Sequence, residues 1–223
     1  MKKNGIKKIL AAMLALTMMF TIFGGIGAVY AVTEEEIAEA VQIFSDLYQI
    51  PTGIPSILFL YERGIINGMG DGTFNPRGNV TREQFVRLLL IALDIVDDNA
   101  VSSFEDVDPN AWYHRYVATI EALGLTTGIG NNLFGIGMYI TRQDIAVFIY
   151  RSLEMFDIPF PVLNEPFDFL DEYAFYPYAR GPVEVLQMSG IITGFQDGTF
   201  GPRLHAMRAH TSAMIHRLIL VLE

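Results

Sequence analysis

The sequence contains no cysteine among its 223 residues. Disulfide bonds, thiol catalysis and cysteine-ligated zinc or iron–sulfur sites are therefore excluded. Charged residues make up only 18% of the chain and hydrophobic residues 51%, a balance that excludes a largely disordered polymer. We expect a folded chain whose stability comes from packing alone.

Basic side chains are scarce, and several of them lie at the start of the chain. Four lysines precede an apolar run at residues 9–23, and a glycine-rich stretch then leads to Ala31. This pattern predicts a secretory signal peptide over residues 1–31. The alternative is an uncleaved anchor helix, which is the only membrane contact that we expect. Without this segment 11 basic side chains face 25 acidic ones, a net charge of −14, so we expect no binding to nucleic acid or anionic membranes.

The sequence also lacks the motifs of known catalytic chemistry. Its four histidines accompany no H-E-x-x-H, G-x-S-x-G or P-loop motif. Asp168, Asp171 and Glu172 lie close together, but without the residue pattern of a glycosidase or a calcium loop. We interpret them as a solvated acidic connector. We therefore expect no enzyme activity, no cofactor and no metal.

Three segments of similar sequence fill most of the chain. Residues 64–68 (GIING) return as residues 124–128 (GLTTG) and 190–194 (GIITG). Self-similarity at a fixed offset indicates a stacked or bundled array. We place a helical lead-in at 32–43, repeat 1 at 44–97, repeat 2 at 98–160 and a degenerate repeat 3 at 161–223.

Each repeat is predicted to fold as helix, loop, helix. The first helix is short, and in repeat 2 it stops at Gly124. The second helix begins in repeat 1 with a capping box formed by Thr81 and Gln84. Repeat 3 carries Met207 in place of the capping threonine, a loss that typically costs about 1 kcal/mol. The apolar stripes of the second helices are Phe85, Leu88, Leu89 and Ala92; Ile145, Phe148, Ile149 and Ser152; and Met214, Ile215 and Leu218.

The loops between the helices are predicted to be short and ordered. Each contains one large aromatic side chain that can plug the loop onto the helices. Asp71 and Asp197 are expected to form tight turns, with Gly72 and Gly198 at positive φ. The loop residues predicted to be structural are Gly68, Asp71, Gly72, Phe74, Gly128, Phe134, Gly194, Asp197, Gly198 and Phe200.

The repeats share one order of motifs: F-x-D, an aromatic-rich helix, G-I-I-x-G-x-x-D-G-T-F-x-P and T-R-x-x. This order resembles the S-layer homology (SLH) domain, in three tandem copies over residues 44–221. The resemblance implies an all-α fold, with three helix–loop–helix repeats in a pseudo-threefold arrangement around a central helical bundle. It also implies a secreted, non-catalytic module of the cell wall or surface layer. The expected partner is a secondary cell-wall polymer, often capped by a pyruvyl ketal, or a peptidoglycan-associated glycan, bound in grooves between repeats.

The same resemblance predicts the ligand contacts. The main contacts would be Arg82, Arg142 and Arg208. The grooves would also be lined by Asp46, Asp106, Asp171 and the aromatic Trp112. A guanidinium at a helix start suits a carboxylate, and aromatic rings and carboxylates suit sugars. On sequence alone, a local salt bridge for each arginine and a helix cap for each aspartate remain open alternatives.

The repeats depart from the family pattern in different ways. Repeat 1 has residues 52–55 (TGIP) where repeat 2 has residues 112–115 (WYHR), so we expect its first helix to start late or kink and its groove to lack an aromatic platform. Repeat 2 lacks the D-G-T loop, and repeat 3 lacks the threonine and the acid of the T-R motif. We therefore expect the three grooves to bind unequally.

A second function remains open at this point. The repeats could pack on identical subunits, on other surface proteins or on a separate cargo protein, and no cargo sequence follows them within these 223 residues. A glycan groove requires aligned arginine, aspartate and aromatic groups, whereas an assembly surface requires an exposed apolar patch. The three aligned arginines favour glycan binding.

Overall fold

The computed structural model describes residues 32–223, so the predicted signal peptide lies outside the described residues. Within this range the chain forms seven α-helices, short 3₁₀ turns and isolated bridges. The helices are α1 (Glu34–Ala40), α2 (Ile54–Glu62), α3 (Arg82–Leu93), α4 (His114–Ala122), α5 (Arg142–Met155), α6 (Pro177–Met188) and α7 (Arg208–Leu222). The predicted all-α fold of three helix–loop–helix repeats is confirmed. Across residues 32–223 no helix is both long and apolar enough to span a bilayer.

The short first helices of repeats 1 and 2 start at the same position of the repeat. Helix α2 begins at Ile54 and α4 at His114, so the expected late start in repeat 1 is wrong. Pro55 lies in the first turn of α2. Backbone N–H groups in a first turn have no intrahelical acceptor, so the missing N–H of proline costs no hydrogen bond there. Each short helix is followed by a glycine in the left-handed region, as at Gly124 with φ of +68°, which is the usual way to stop a helix.

The long helix of repeat 1 buries two of its four predicted stripe residues, Phe85 and Leu89, whereas Leu88 and Ala92 are half-buried. The buried side chains of α3 include Arg82 and Glu83, followed by Phe85, Val86, Leu89 and Leu90. The polar first turn of the helix is therefore covered as well. The stripe predicted for α5 is confirmed, with Ile145, Phe148, Ile149 and Ser152 all buried.

The caps of the long helices differ between repeats. In repeat 1 Thr81 and Gln84 form the predicted capping box, in which the Thr81 N–H donates to Gln84 Oε1 at 3.1 Å. In repeat 2 the Thr141 hydroxyl accepts from the Asp144 N–H at 3.3 Å. Repeat 1 therefore has the reciprocal pair of capping contacts, and repeat 2 has the threonine contact.

The described chain divides into two compact units, one of residues 32–78 and 207–216, the other of residues 79–206 and 217–223. In the first unit, Phe44 packs against Tyr61 and Phe74 with ring centroids 5.0 and 5.6 Å apart. The His216 ring lies 3.9 Å from the Phe59 ring, and its Nδ1 is 3.0 Å from Ser56 Oγ. Aromatic packing thus fixes the first helix of repeat 1 to the third repeat's long helix within this unit.

A closed ring of backbone hydrogen bonds lies in the second unit, just before the long helices. Val80 N–H donates to Ala206 O at 3.0 Å, Ala206 N–H to Ile140 O at 2.9 Å, and Ile140 N–H to Val80 O at 3.0 Å. All three residues are buried, with at most 1% of their surface exposed. Each comes from a different repeat, so this ring joins the three repeats directly. The pseudo-threefold arrangement implied by the resemblance stays a prediction.

The loop phenylalanines provide the largest buried side chains of the loops. Phe74 is 1% exposed, and Phe134 and Phe200 are fully buried. Each ring packs on the phenylalanine of its own repeat's F-x-D motif, with centroids 5.6, 5.9 and 5.3 Å apart in repeats 1, 2 and 3. The loops are therefore anchored parts of the core.

Replacing Phe134 by alanine should lower the free energy of unfolding by about 3–5 kcal/mol, because the site leaves a cavity in a fully packed region. Phe156→Ala removes the same side chain where it is 42% exposed and serves as the control. Urea denaturation followed by circular dichroism measures both. Equal losses in the two variants would contradict an anchored loop.

Candidate functional site

The three aligned arginines lie where one repeat meets the loop of another. Arg82 and Arg142 are 7% and 3% exposed, and Arg208 is half-buried. Each Nε donates to the backbone carbonyl of a loop phenylalanine in another repeat: Arg82 to Phe134 at 3.0 Å, Arg142 to Phe200 at 2.7 Å, and Arg208 to Phe74 at 2.8 Å. Each guanidinium carbon also lies 4.3–5.2 Å from the ring centroid of that same phenylalanine. The arginines therefore hold the loops in place.

The aspartates of the F-x-D motifs hold the same loops from the other side. The Asp106 carboxylate accepts from the N–H groups of Phe134, Gly135 and Ile136 at 2.8–2.9 Å. Asp46 does the same for residues 74 and 75, and Asp171 for residues 200 and 201, at 2.7–2.8 Å. Each loop phenylalanine thus donates its N–H to an aspartate of its own repeat, and its carbonyl accepts from an arginine of another repeat.

These contacts show that the arginines and aspartates predicted to bind ligand also stabilise the loops. The aspartates serve as loop locks, a use that differs from the helix cap considered on sequence. Their part as ligand contacts, like that of the arginines, stays a prediction. The sequence offered a signal for the lock, since the F-x-D aspartate, the loop phenylalanine and the T-R arginine recur together in all three repeats.

The loop turns themselves are built from local hydrogen bonds. Asp71 Oδ1 accepts from both the N–H and the hydroxyl of Thr73, at 2.9 and 2.6 Å, and Asp197 does the same with Thr199. In repeat 2, a Cβ on Gly128 would collide with the Leu133 carbonyl oxygen, so only glycine fits there.

An open cavity of about 430 Å³ lies beside Arg82 in the second unit. Repeat 1 supplies Arg82, repeat 2 supplies four loop residues (126–129) and four residues of α5, and repeat 3 supplies one residue of α6. The lining includes Arg82, Thr127, Asp144, Phe148, Arg151 and Tyr178. All three repeats therefore contribute to one site.

The polar groups of this cavity form a connected set. The Tyr178 hydroxyl donates to Asp144 Oδ1 at 2.8 Å, and Asp144 Oδ2 lies 3.9 Å from Arg82 Nη1. Arg151 Nη1 donates to the Leu125 carbonyl at 3.1 Å. The cavity combines two guanidiniums, one carboxylate and one phenol above the buried side chains of Val147 and Phe148.

Burial shifts the pKa values of the arginines and of Tyr178 toward the uncharged form of each group. Burial lowers the pKa of Arg82, and the nearby Asp144 carboxylate partly offsets this. Burial also lowers the pKa of Arg142 to about 10, with Asp171 raising it and Arg217 lowering it further. For Tyr178, burial and then the hydrogen bond to Asp144 raise the pKa. At neutral pH the arginines are therefore cations and Tyr178 is a hydrogen-bond donor.

The exposed aromatic side chain at the cavity is Tyr178, which the sequence analysis missed. Trp112 is 53% exposed and meets Tyr113 edge-on, and it does not line this cavity. Tyr178 is 49% exposed and stacks on Tyr176 with centroids 5.8 Å apart. Tyr178 is 66 residues after Trp112, the offset that relates repeats 2 and 3, and this signal could have found it.

Comparison with known proteins gives one family. The sequence matches the S-layer homology domain at residues 43–86, 103–146 and 168–211, which is more than half of the chain. An endoglucanase of Bacillus sp. (strain KSM-635) is 26% identical over 98% of this chain and 23% of its own length. An S-layer protein of Bacillus thuringiensis subsp. finitimus is 24% identical over 96% of this chain and 24% of its own length. The surface-layer 125 kDa protein of Lysinibacillus sphaericus is 25% identical over 60% of this chain and 11% of its own length. The chain thus spans less than a quarter of each of these relatives.

Replacing Asp106 by asparagine should lower the free energy of unfolding at pH 7 by about 1–2 kcal/mol, because a neutral amide accepts these three backbone hydrogen bonds less well. Partial burial raises the pKa of the Asp106 carboxyl, but the N–H donors of residues 134–136 outweigh it, and the net pKa lies below the ordinary value.

The pH dependence of this loss follows from that direction. A depressed folded-state pKa contributes stability that is present above the unfolded pKa, about 4, and is lost as the pH falls through the folded value. The difference between wild type and Asp106→Asn should therefore shrink between pH 7 and pH 2.5 in urea titrations. Asp108→Asn, whose carboxylate serves only the neighbouring Asn110, is the control. A difference that does not change with pH would count against the ionised lock.

Proposed function

Because the chain belongs to the S-layer homology domain family, we propose that it binds the secondary polysaccharide of a bacterial cell wall through the sites between its repeats. Such binding would anchor the chain at the cell surface without a covalent bond. The family and the S-layer relatives indicate a secreted protein of the cell wall or surface layer. The S-layer homology domain is a non-catalytic anchoring module, and the endoglucanase is matched only through a small part of its length.

The cavity beside Arg82 is the observation that carries this proposal. Its volume of about 430 Å³ falls within the range of small-ligand sites. The Asp144 carboxylate can accept from sugar hydroxyls, the guanidiniums of Arg82 and Arg151 can donate to them, and the exposed ring of Tyr178 can stack on sugar C–H groups. Because three repeats line this cavity, a single repeat would not form it.

Charge supports a polymer with anionic units, such as pyruvyl ketals. The part of the chain after residue 31 carries a net charge of −14, so a polyanion can approach only where cations are grouped. The arginines at the repeat junctions are such groups, and a guanidinium pairs well with a carboxylate. Binding should therefore weaken as salt rises.

A second candidate function is a protein-interaction or assembly module. The connector between α5 and α6 exposes several apolar side chains, as a protein interface would. These are Phe156, Val162, Leu163, Phe167 and Leu170, each at least 42% exposed. The connector lies outside the cavity, so the two functions can be tested separately.

The test is sedimentation of the protein with purified cell-wall sacculi, before and after chemical removal of the secondary polymer. We expect binding to need the polymer and to fall as sodium chloride is raised from 0.05 to 0.5 M. Thr127→Trp should weaken binding by about tenfold or more, since an indole at this exposed position fills the cavity. Asn99→Trp, at an exposed position away from the cavity, is the control.

Arginine-to-alanine variants are a poor test here, because Arg82, Arg142 and Arg208 each hold a loop through Nε. Equal sedimentation with stripped and intact sacculi would refute the polymer as ligand and favour peptidoglycan. Full binding by Thr127→Trp would exclude the cavity as a contact. Loss of binding only when the apolar connector is made polar would favour the assembly function.

A further inference from the structure

A small cavity in repeat 3 lies between α6 and the connector that leads to it. Its volume is about 70 Å³. Phe169, Phe175 and Val183 contribute buried side chains to its lining, and Phe167 contributes a ring that is 54% exposed. The Phe167 ring meets the Phe169 ring edge-on, with centroids 5.5 Å apart. The cavity is therefore apolar inside and reaches the surface at Phe167.

The rim of this cavity is acidic. Asp168, Glu172 and Glu184 line it together with the base Arg180. Arg180 is already paired, because its Nη1 lies 3.1 Å from Glu172 Oε1. Within residues 32–223, the exposed carboxylates of Asp168 and Glu184 neither accept a hydrogen bond nor form an ion pair. The rim thus presents two uncompensated negative charges beside an apolar interior.

The repeat register shows how repeat 3 comes to differ from repeat 2 here. In repeat 2 the two residues before the F-x-D motif are tied to α4: the Ser102 hydroxyl donates to Glu121 Oε2 at 2.6 Å, and the Ser103 N–H donates to the same carboxylate at 3.1 Å. The counterparts of these three residues in repeat 3 are Phe167, Asp168 and Gln187. An exposed ring and an exposed carboxylate therefore replace a set of internal hydrogen bonds.

A lysine side chain has the chemistry that matches this lining. Its four-carbon stem can pack on the phenylalanine rings while its ammonium group stays in water at the acidic rim. An ammonium group is also attracted to the face of an aromatic ring. The volume of about 70 Å³ is far below that of small-ligand sites, so the cavity suits one side chain rather than a sugar unit.

Charge and composition indicate that this lysine belongs to another protein. All four lysines of the chain lie within the predicted signal peptide, so residues 32–223 contain none. Two copies that each carry a net charge of −14 after residue 31 would also repel one another. The residues on either side of the cavity lining expose apolar side chains, namely Leu163, Leu170 and Tyr173 at 62%, 72% and 83%. The neighbours of the lysine should therefore be apolar.

We propose that the cavity at Phe167 is a docking site for a lysine of a partner protein, in a segment where apolar residues flank that lysine. The stem packs on Phe167 and Phe175, and the ammonium group lies at the rim formed by Asp168 and Glu184. This inference gives the second candidate function a partner chemistry. It does not depend on the cell-wall polymer, because this cavity shares no lining residue with the cavity beside Arg82.

The experiment titrates the isotope-labelled full chain with the capped peptide Leu-Lys-Leu and with the same peptide acetylated on the lysine Nζ. Nuclear magnetic resonance gives the dissociation constant and shows which backbone amides respond. The amides of residues 166–184 should shift, and acetylation should weaken binding about fivefold, because it removes the charge but keeps the stem. The variant with both Asp168→Asn and Glu184→Gln should bind the two peptides equally. Phe167→Ser, which introduces the repeat 2 residue, should weaken binding of both.

The matched control combines Glu39→Gln and Glu105→Gln, which remove two negative charges at exposed positions outside the cavity. It should retain the preference for the unmodified peptide, and thermal melting should show all variants folded, since each change is at an exposed side chain. Sedimentation with intact sacculi should be the same for wild type and every variant, so failure of this inference and failure of polymer binding can be told apart.

Three outcomes would overturn the inference. The first is that the wild type binds neither peptide or binds both equally. The second is that the amides that respond lie outside residues 166–184. The third is that stripped sacculi bind the wild type but not Phe167→Ser, which would assign the cavity to an amine of peptidoglycan instead of a partner protein.

Discussion

The fold depends on one repeated interaction, in which the loop phenylalanine of each repeat is held at both ends of its backbone. Its N–H donates to an aspartate of its own repeat, as Phe134 does to Asp106, and its carbonyl accepts from an arginine of another repeat, as Phe134 does from Arg82. The ring is buried between these two charged groups. The desolvation of each charge is compensated by hydrogen bonds to backbone, so two opposite charges stabilise the loop without touching each other.

Because the same arginines hold the loops, the packing of the repeats also positions the cation of the candidate site. The arginine that holds a loop also borders the surface between repeats, so the position of the cation is fixed before any ligand arrives. What varies is its local counter-charge. Beside Arg82, Asp144 and Tyr178 complete a polar set of balanced charge. Beside Arg142, the loop residue that accepts its hydrogen bond, Thr193, also accepts one from a second guanidinium, that of Arg217. Repeats with one scaffold therefore present chemically different surfaces.

The sequence was sufficient for the architecture and for the identity of the recurring residues, because helix periodicity, helix stops and repeat register are local properties. It predicted α5 and its buried stripe correctly. It was wrong about the start of α2, since Pro55 in a first turn costs nothing. It was only partly right about the buried face of α3, because Phe85 and Leu89 are buried but so are Arg82 and Glu83, whose cover comes from a distant loop. The cavity lining could not be predicted for the same reason. Asp144 and Tyr178 are 34 residues apart, and their contact depends on tertiary packing that no local pattern encodes.

The backbone ring through Val80, Ile140 and Ala206 has a consequence for when the protein can become folded. Its first and last members are separated by more than half of the chain, and the hydrogen bonds of Ala206 are needed to close it. Closing so long a loop is slow and entropically costly, and it yields no cooperative gain until the last segment is present. If the first repeat leaves a secretion channel first, the backbone ring cannot close until the third repeat is also outside. Folding would be coupled to the completion of export, and an incomplete chain would stay open to proteases.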